Sequence, residues 1–384
     1  MIYLDNCSTT LPRVQVIDVM TASLSEDFGN PSSLHSLGLK SEKKMRRARE
    51  IIADFLDTDR EEIYFTSGGT ESNNIAIQSI VKKLQNRGNH IITTRIEHPS
   101  VLNTMKNYED EGYDITYLDV DRRGRISLEQ FENSIRQDTI LVSIMHVNNE
   151  IGTIEPIDKI RGILKEKKSQ ALFHVDGVQG YGKVPISLKD WGVDAYSFSS
   201  HKIHGPKGVG GLYIDSKNKL FSIVYGGNQE KGMRSGTENL TGIIGFGEAT
   251  RIIDKNFQSE RRHALSLKEY LADGLKTNIK DIDINTSLDK NSSPYILNVS
   301  FNNVRGEVLL HYLEKEEIYV STTSACSSKE KDKSYVLKSL GLNDLQIEGT
   351  IRICFSHDIK LEDLDYTIEI IKKSVEEIRK IIMR

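Results

Sequence analysis

From about residue 62 to 215 the chain alternates short β-branched, apolar runs with longer amphipathic stretches. The runs fall at 63–66, 90–93, 115–118, 140–145 and 171–175, and the amphipathic stretches between them at 71–84, 101–109, 128–135 and 157–168. Strands interleaved with helices of 10–15 residues predict a mostly parallel α/β sheet. The rhythm then changes. Runs at 195–199 and 209–214 are separated only by the glycine-rich SHKIHGPKG, too short for a helical crossover, so these two strands are predicted to be antiparallel neighbours. A long helical stretch follows at 241–276, and from 295 a second pattern begins, with elements at 295–301, 307–316, 318–320, 334–340, 350–355 and 361–382. This fresh start predicts a C-terminal α+β domain. The segment 321–333, STTSACSSKEKDK, has no periodicity and reads as a mobile loop.

Composition narrows the class. With 384 residues, 38% hydrophobic and 28% charged, the chain is an ordinary globular protein large enough for two domains. No apolar run reaches the roughly 18 residues of a bilayer span. The N-terminus, MIYLDNCSTTLPR, places Asp5 where a secretory signal needs apolar residues and lacks the Arg-rich character of a transit peptide, so a cytoplasmic protein is expected. A formal charge of −4 leaves no overall footprint for nucleic acid. The one basic cluster, Lys40, Lys43, Lys44, Arg46, Arg47 and Arg49, reads as the solvated face of a helix. Three scattered cysteines, Cys7, Cys326 and Cys354, exclude a disulfide framework and a CxxC metal pair.

Three segments carry candidate chemistry. TSGGTESNN (66–74) follows a strand and opens a helix; its glycines and Thr70 suit a phosphate cradle, or equally a capped helix start. SFSSHKIHGPKG (197–208) sets Lys202 among hydroxyls, imidazoles and glycines after a buried strand. Desolvation there makes an amine a Schiff-base nucleophile; the bland alternative is an exposed loop lysine. HVDGVQ (174–179) puts Asp176 at a strand's C-terminal end, facing the crevice where α/β sheets bind ligands, with a helix-capping Asp as the alternative. A phosphate cradle, a strand-end carboxylate and a flanked lysine are together what pyridoxal phosphate requires.

These residues, with YLDNCSTT, FGNPSSLH, EHPS, HVNNEIGT, GMRSGTEN, SACSS and SYVLKSLG in the same order, resemble the cysteine desulfurases of the NifS/IscS type, within the class V aminotransferase branch of fold type I pyridoxal phosphate enzymes. The match runs nearly end to end. It implies a large domain (15–255) with a mixed, mostly parallel sheet of seven strands flanked by helices. A smaller α+β domain (1–14 plus 256–384) then carries the loop at 321–333.

The resemblance further implies that Lys202 carries the cofactor as a Schiff base, Asp176 pairs with its ring nitrogen, Gln179 meets the ring hydroxyl and His98 stacks on the ring and moves protons. Gly69, Thr70, Ser199 and His201 are expected around the phosphate, and Thr237 at the phosphate of a second subunit, which implies a homodimer. Asn149 and Arg352 are expected to orient the substrate. The activity implied is conversion of L-cysteine to L-alanine, leaving a persulfide on Cys326 for a sulfur-acceptor protein serving iron–sulfur assembly or tRNA thiolation. A selenocysteine lyase or another class V aminotransferase or lyase is the alternative. Cys354 reads as a packed core thiol. Cys7 stands where the family usually has Ala; packing is the favoured reading, and a second thiol near the site stays open.

Overall fold

The computed structural model describes residues 1–322 and 333–382. Its strands are β1 (Ile2–Tyr3), β2 (Ile63–Thr66), β3 (His90–Thr94), β4 (Asp114–Leu118), β5 (Thr139–Ser143), β6 (Leu172–Asp176), β7 (Ala195–Ser199), β8 (Gly210–Ile214), β9 (Ile282–Ile284), β10 (Ile296–Phe301), β11 (Ile318–Tyr319), β12 (Ser321–Thr322) and β13 (Thr350–Cys354). Seven of them form the central sheet, in the order β2-β8-β7-β6-β5-β3-β4. β8 runs antiparallel to both its neighbours and the remaining pairs are parallel. The short SHKIHGPKG connection thus joins antiparallel strands, with Ser199 opposite Gly210. Strands β3, β5, β7 and β8 are buried at every position, as apolar strands are when helices cover both faces.

The helix predicted from residue 71 begins at the glycine pair instead, as Gly69–Leu84. The long helical stretch is one helix, Leu240–Asn278, of 39 residues and so about 58 Å in length. Its first half gives Ile243, Phe246 and Ile253 to the core of the central sheet, and its second half gives Leu267, Leu271 and Leu275 to a separate core. That second core surrounds a four-stranded antiparallel sheet ordered β12-β13-β10-β9.

The first ten residues cross from the second core to the first. β1 pairs in parallel with β11, the Cys354 amide donates to the Leu4 carbonyl (2.7 Å), and the Thr10 amide then donates to the His201 carbonyl (2.9 Å). The expected loop at 321–333 starts later than the sequence suggests. Ser321 and Thr322 pair with Arg352 and Ile351 of β13, because these two hydroxylic residues complete the antiparallel ladder. Residues 323–332, with Cys326, lie outside the described residues. At the far side Lys333 pairs with Asp344 (3.0 Å) and Glu348 (2.9 Å).

Candidate active site

The carboxyl ends of the central strands and the N-terminal segment enclose a cavity of about 270 Å³. Gly69, Thr70, His98, Asn149, Asp176, Gln179, Ser199, His201, Lys202 and Arg352 all line it. The sequence places these residues far apart; strand order brings most of them to the carboxyl edge of the central sheet, where α/β folds bind their ligands, and β13 of the smaller sheet adds Arg352.

Asp176 is the last residue of β6 and is buried. Its Oδ2 accepts from Asn73 Nδ2 (2.7 Å) and its Oδ1 from the Val178 amide (3.0 Å). Asn73 Nδ2 also donates to Ser100 Oγ (2.9 Å), and Ser100 in turn contacts His98 Nδ1 through Oγ (2.8 Å) and its own amide (3.1 Å). His98 caps the helix Pro99–Asp110, and an Nδ1 that accepts a backbone N–H leaves the neutral ring's proton on Nε2. Burial lowers the His98 pKa, opposed by the charge of Asp176 and aided by that of Lys202. A polar chain therefore runs from the carboxylate to the imidazole. Asn73 and Ser100 were not singled out in the sequence, since neither is unusual on a helix and the Asn73 partner lies 103 positions away.

At the start of the helix Gly69–Leu84, first-turn N–H groups have no acceptor within the helix and suit an anion. Gly69 is required by space: a Cβ there would fall 2.5 Å from Val178 Cγ2. β7 delivers Ser199 to the same region, and the buried Ser199 hydroxyl has no hydrogen-bond partner among the described residues. His201 contacts Thr9 Oγ1 through Nδ1 (3.2 Å). Burial first, and then Lys202, Lys183 and Lys207, push its pKa down to about 4, so it is neutral at pH 7.

Lys202 Nζ donates to the Cys7 carbonyl (2.6 Å) and the Ser8 carbonyl (2.8 Å). Gln179 Nε2 donates to the same Cys7 carbonyl (2.9 Å), and Lys183 Nζ, itself buried, donates to Gln179 Oε1 (2.8 Å). On the opposite side Arg352, from β13, donates through Nη1 to the Asn149 carbonyl (2.9 Å) and through Nη2 to Asp5 Oδ1 (3.0 Å) and Ser8 Oγ (2.8 Å). Its Nε is buried without a partner among the described residues, which leaves a donor for an incoming carboxylate. Asp5 and Ser8 fall inside the YLDNCSTT motif and Lys183 outside any motif; none has a site role legible in the sequence, and only their position gives them one. Cys7 both packs, at 2% exposure, and lines the cavity; Cys354 is buried beside it, as expected of a core thiol.

Thr237, expected at the phosphate of a second subunit, does not line this cavity. It lines a different hollow, with Ser67, Gly208 and Asn239, away from Lys202. The preceding turn is held by a buried ion pair in which both Arg49 Nη atoms contact Glu230 at 2.7 Å.

A phosphorylated aldehyde such as pyridoxal phosphate fits the main cavity on structural grounds. There is an amine, a buried carboxylate suited to a protonated ring nitrogen, and an anion site in which a buried hydroxyl awaits a partner.

Comparison with known proteins agrees with this reading. The family model for class-V aminotransferases matches residues 2–367. A cysteine desulfurase IscS of Clostridium botulinum is 41% identical over 379 residues, covering 98% of this chain and 95% of that protein. One from Buchnera aphidicola is 44% identical over 383 residues, covering 98% and 93%. Among solved structures, a NifS-like protein superposes with a TM-score of 0.92 at 39% identity, covering 98% of this chain and 99% of that one. A second, described as SspA in complex with cysteine, gives 0.82 at 34%, covering 93% and 99%. The chain thus belongs to the class V aminotransferases, in their pyridoxal phosphate-dependent cysteine desulfurase branch.

Proposed function

We propose that the cavity takes L-cysteine and that its residues act as the sequence motifs suggest. The observation that carries this is the convergence of Lys202, Asp176, His98 and Arg352 on one cavity beside an anion-binding helix start. Bound pyridoxal phosphate supplies an electron sink for the carbanion formed when the substrate loses its α-proton. Asp176 holds the ring nitrogen, Gln179 the ring hydroxyl, and Gly69, Thr70, Ser199 and His201 the phosphate. Arg352 and Asn149 hold the substrate. Lys202 Nζ takes the α-proton and returns it, and His98 Nε2 carries protons at the substrate sulfur. The Cys326 thiolate attacks that sulfur; the S–S bond forms, the C–S pair stays on carbon, and its protonation gives L-alanine. The curated relatives favour this reading over a selenocysteine lyase.

The direct test measures alanine and sulfide from L-cysteine in wild type and Cys326→Ala, with and without iron–sulfur scaffold or tRNA-thiolation acceptors. Wild type is expected to form alanine and a protein persulfide; the variant is expected to form no persulfide. A wild type without cysteine-dependent alanine overturns the proposal.

The lowered pKa of His98 sets a pH expectation. A neutral imidazole is required, and burial keeps it neutral below its ordinary value of about 6.5, so the acid limb of kcat/KM lies below pH 6.5. His98→Gln should remove that limb; a limb unchanged in the variant assigns it to another group.

The separate apolar clusters around the central sheet and around the four-stranded sheet support a division into a cofactor domain at 15–255 and a smaller one at 1–14 plus 256–384, although Val336, Leu337, Leu340 and Ile347 pack against Ile96 and Met145 of the larger one. A homodimer accounts for the apolar side chains left in water near the N-terminus: Leu11 (67% exposed), Val14 (69%), Leu24 (71%) and Phe28 (73%). It also accounts for Thr237, which then serves the partner's phosphate. Sedimentation of the holoenzyme at micromolar concentration is expected to give twice the chain mass; a monomer refutes the shared site. No helix among the described residues is long and apolar enough to cross a membrane.

A further inference from the structure

Cys7 and Cys354 come from opposite ends of the chain and meet at the cavity wall. The Leu4 carbonyl accepts the Cys354 amide (2.7 Å), and Asn6 Nδ2 donates to the Cys354 carbonyl (3.0 Å). These bonds bring the two cysteines into one buried side-chain cluster. Both are nearly inaccessible from bulk water, in a small cluster with Val147, Val184 and Ile296. They differ in one respect: Cys7 lines the cavity and Cys354 does not. A small molecule in the cavity therefore lies nearer to Cys7, with Cys354 packed in the same cluster behind it.

The charges around the pair separate the two thiols. Burial alone would raise the Cys7 pKa, but its neighbour Cys354 and the charges of Lys183, Arg352 and Lys202 outweigh it, and the net shift is downward. Burial raises Cys354, and Cys7 beside it raises it further. The surroundings thus favour loss of a proton from Cys7 over loss from Cys354. A thiol of lowered pKa packed beside a protonated thiol is the arrangement that oxidises through a sulfenic acid to a disulfide.

We propose that Cys7 and Cys354 form a redox-modifiable thiol pair inside the cavity, closed to a disulfide by small hydroperoxides and separate from the sulfur chemistry of Cys326. The Cys7 thiolate attacks one oxygen of hydrogen peroxide; the O–O bond breaks, Cys7 becomes a sulfenic acid, and the departing hydroxide takes a proton to become water. The Cys354 sulfur, giving up its proton, then attacks the Cys7 sulfur; the S–O bond breaks, a second water leaves and the S–S bond forms. The two thiols lose two electrons in all, and one peroxide accepts them. The cross-link ties the segment whose carbonyls hold Lys202 to the strand that carries Arg352.

The test uses holoenzyme carrying Cys326→Ser, with Cys7 and Cys354 unaltered, so that folding of the pair is not in question. Trypsin places Cys7 in residues 1–13 and Cys354 in residues 353–360. One equivalent of hydrogen peroxide is expected to lower the intact mass by two hydrogens and to join these peptides, with reversal by dithiothreitol. Adding Cys354→Ser is expected to stop the reaction at a Cys7 sulfenic acid that dimedone traps. Full alkylation of both cysteines after the peroxide is consumed overturns the proposal, as does Cys7 sulfinic acid with Cys354 untouched. The readout is a covalent mass and does not depend on desulfurase activity, so failure of this proposal and failure of the functional reading are separable.

Discussion

Replacing Lys202 with Ala is expected to abolish cysteine-dependent alanine formation, lowering kcat by more than about 10⁴-fold, the upper end of what one positioned proton carrier supplies. Under the proposed mechanism two functions are lost together, the amine that would carry the cofactor and the base that would move the α-proton. The structure makes the lysine hard to replace. Two backbone carbonyls, of Cys7 and Ser8, fix Nζ at 2.6 and 2.8 Å, and both belong to a segment that is itself pinned to His201 through Thr10. A neighbouring lysine such as Lys183 is already engaged with Gln179 and cannot substitute. The check is alanine production together with the visible spectrum, in which the lysine-bound cofactor band should be missing. A variant within tenfold of wild type removes Lys202 from the mechanism.

Arg352→Ala should weaken use of L-cysteine by roughly 10²–10³-fold in kcat/KM, or about 3–4 kcal/mol, because a buried charge-assisted contact to the substrate carboxylate is lost. The guanidinium is almost fully buried and has a donor, Nε, without a partner among the described residues, while its other nitrogens are held by Asn149, Asp5 and Ser8. Its orientation is therefore set before substrate arrives. Arg352→Lys keeps the charge but not the planar fork and should recover only part of the loss. Steady-state kinetics and titration with L-alanine, followed by cofactor absorbance, measure the effect. A kcat/KM within threefold of wild type in Arg352→Ala overturns the assignment.

How much of this was legible before folding depends on how local each signal is. Asp176 could be placed at a strand end and Lys202 just beyond one because the apolar runs before them, 171–175 and 195–199, end within one residue of β6 and β7. Gly69 and Thr70 were legible as a helix start for the same reason. The His98 role came only through the EHPS motif, since a lone histidine on a helix cap is more often structural. Asn73, Ser100 and Lys183 carry no comparable mark. Each is an ordinary polar residue whose significance lies in a partner supplied by another strand or turn. Ser321 and Thr322 were assigned to the loop because two residues are too few to show period-two alternation, yet β13 pairs with them.

The sequence by itself determined the elements and their chemistry. Strand and helix periodicity arise from sterics between near neighbours, and the motif residues bring their functional groups wherever the backbone takes them. Only the tertiary structure decided which groups meet. The N-terminal segment reaches the cavity because β1 pairs with β11 and Thr10 binds His201, contacts that depend on strand pairing between distant parts of the chain. The meeting of Cys7 with Cys354, and of Lys202 with carbonyls 195 and 194 positions away, follows from that closure. No local pattern encodes it, because its energy resides in register and packing between elements that are independent until the cores form.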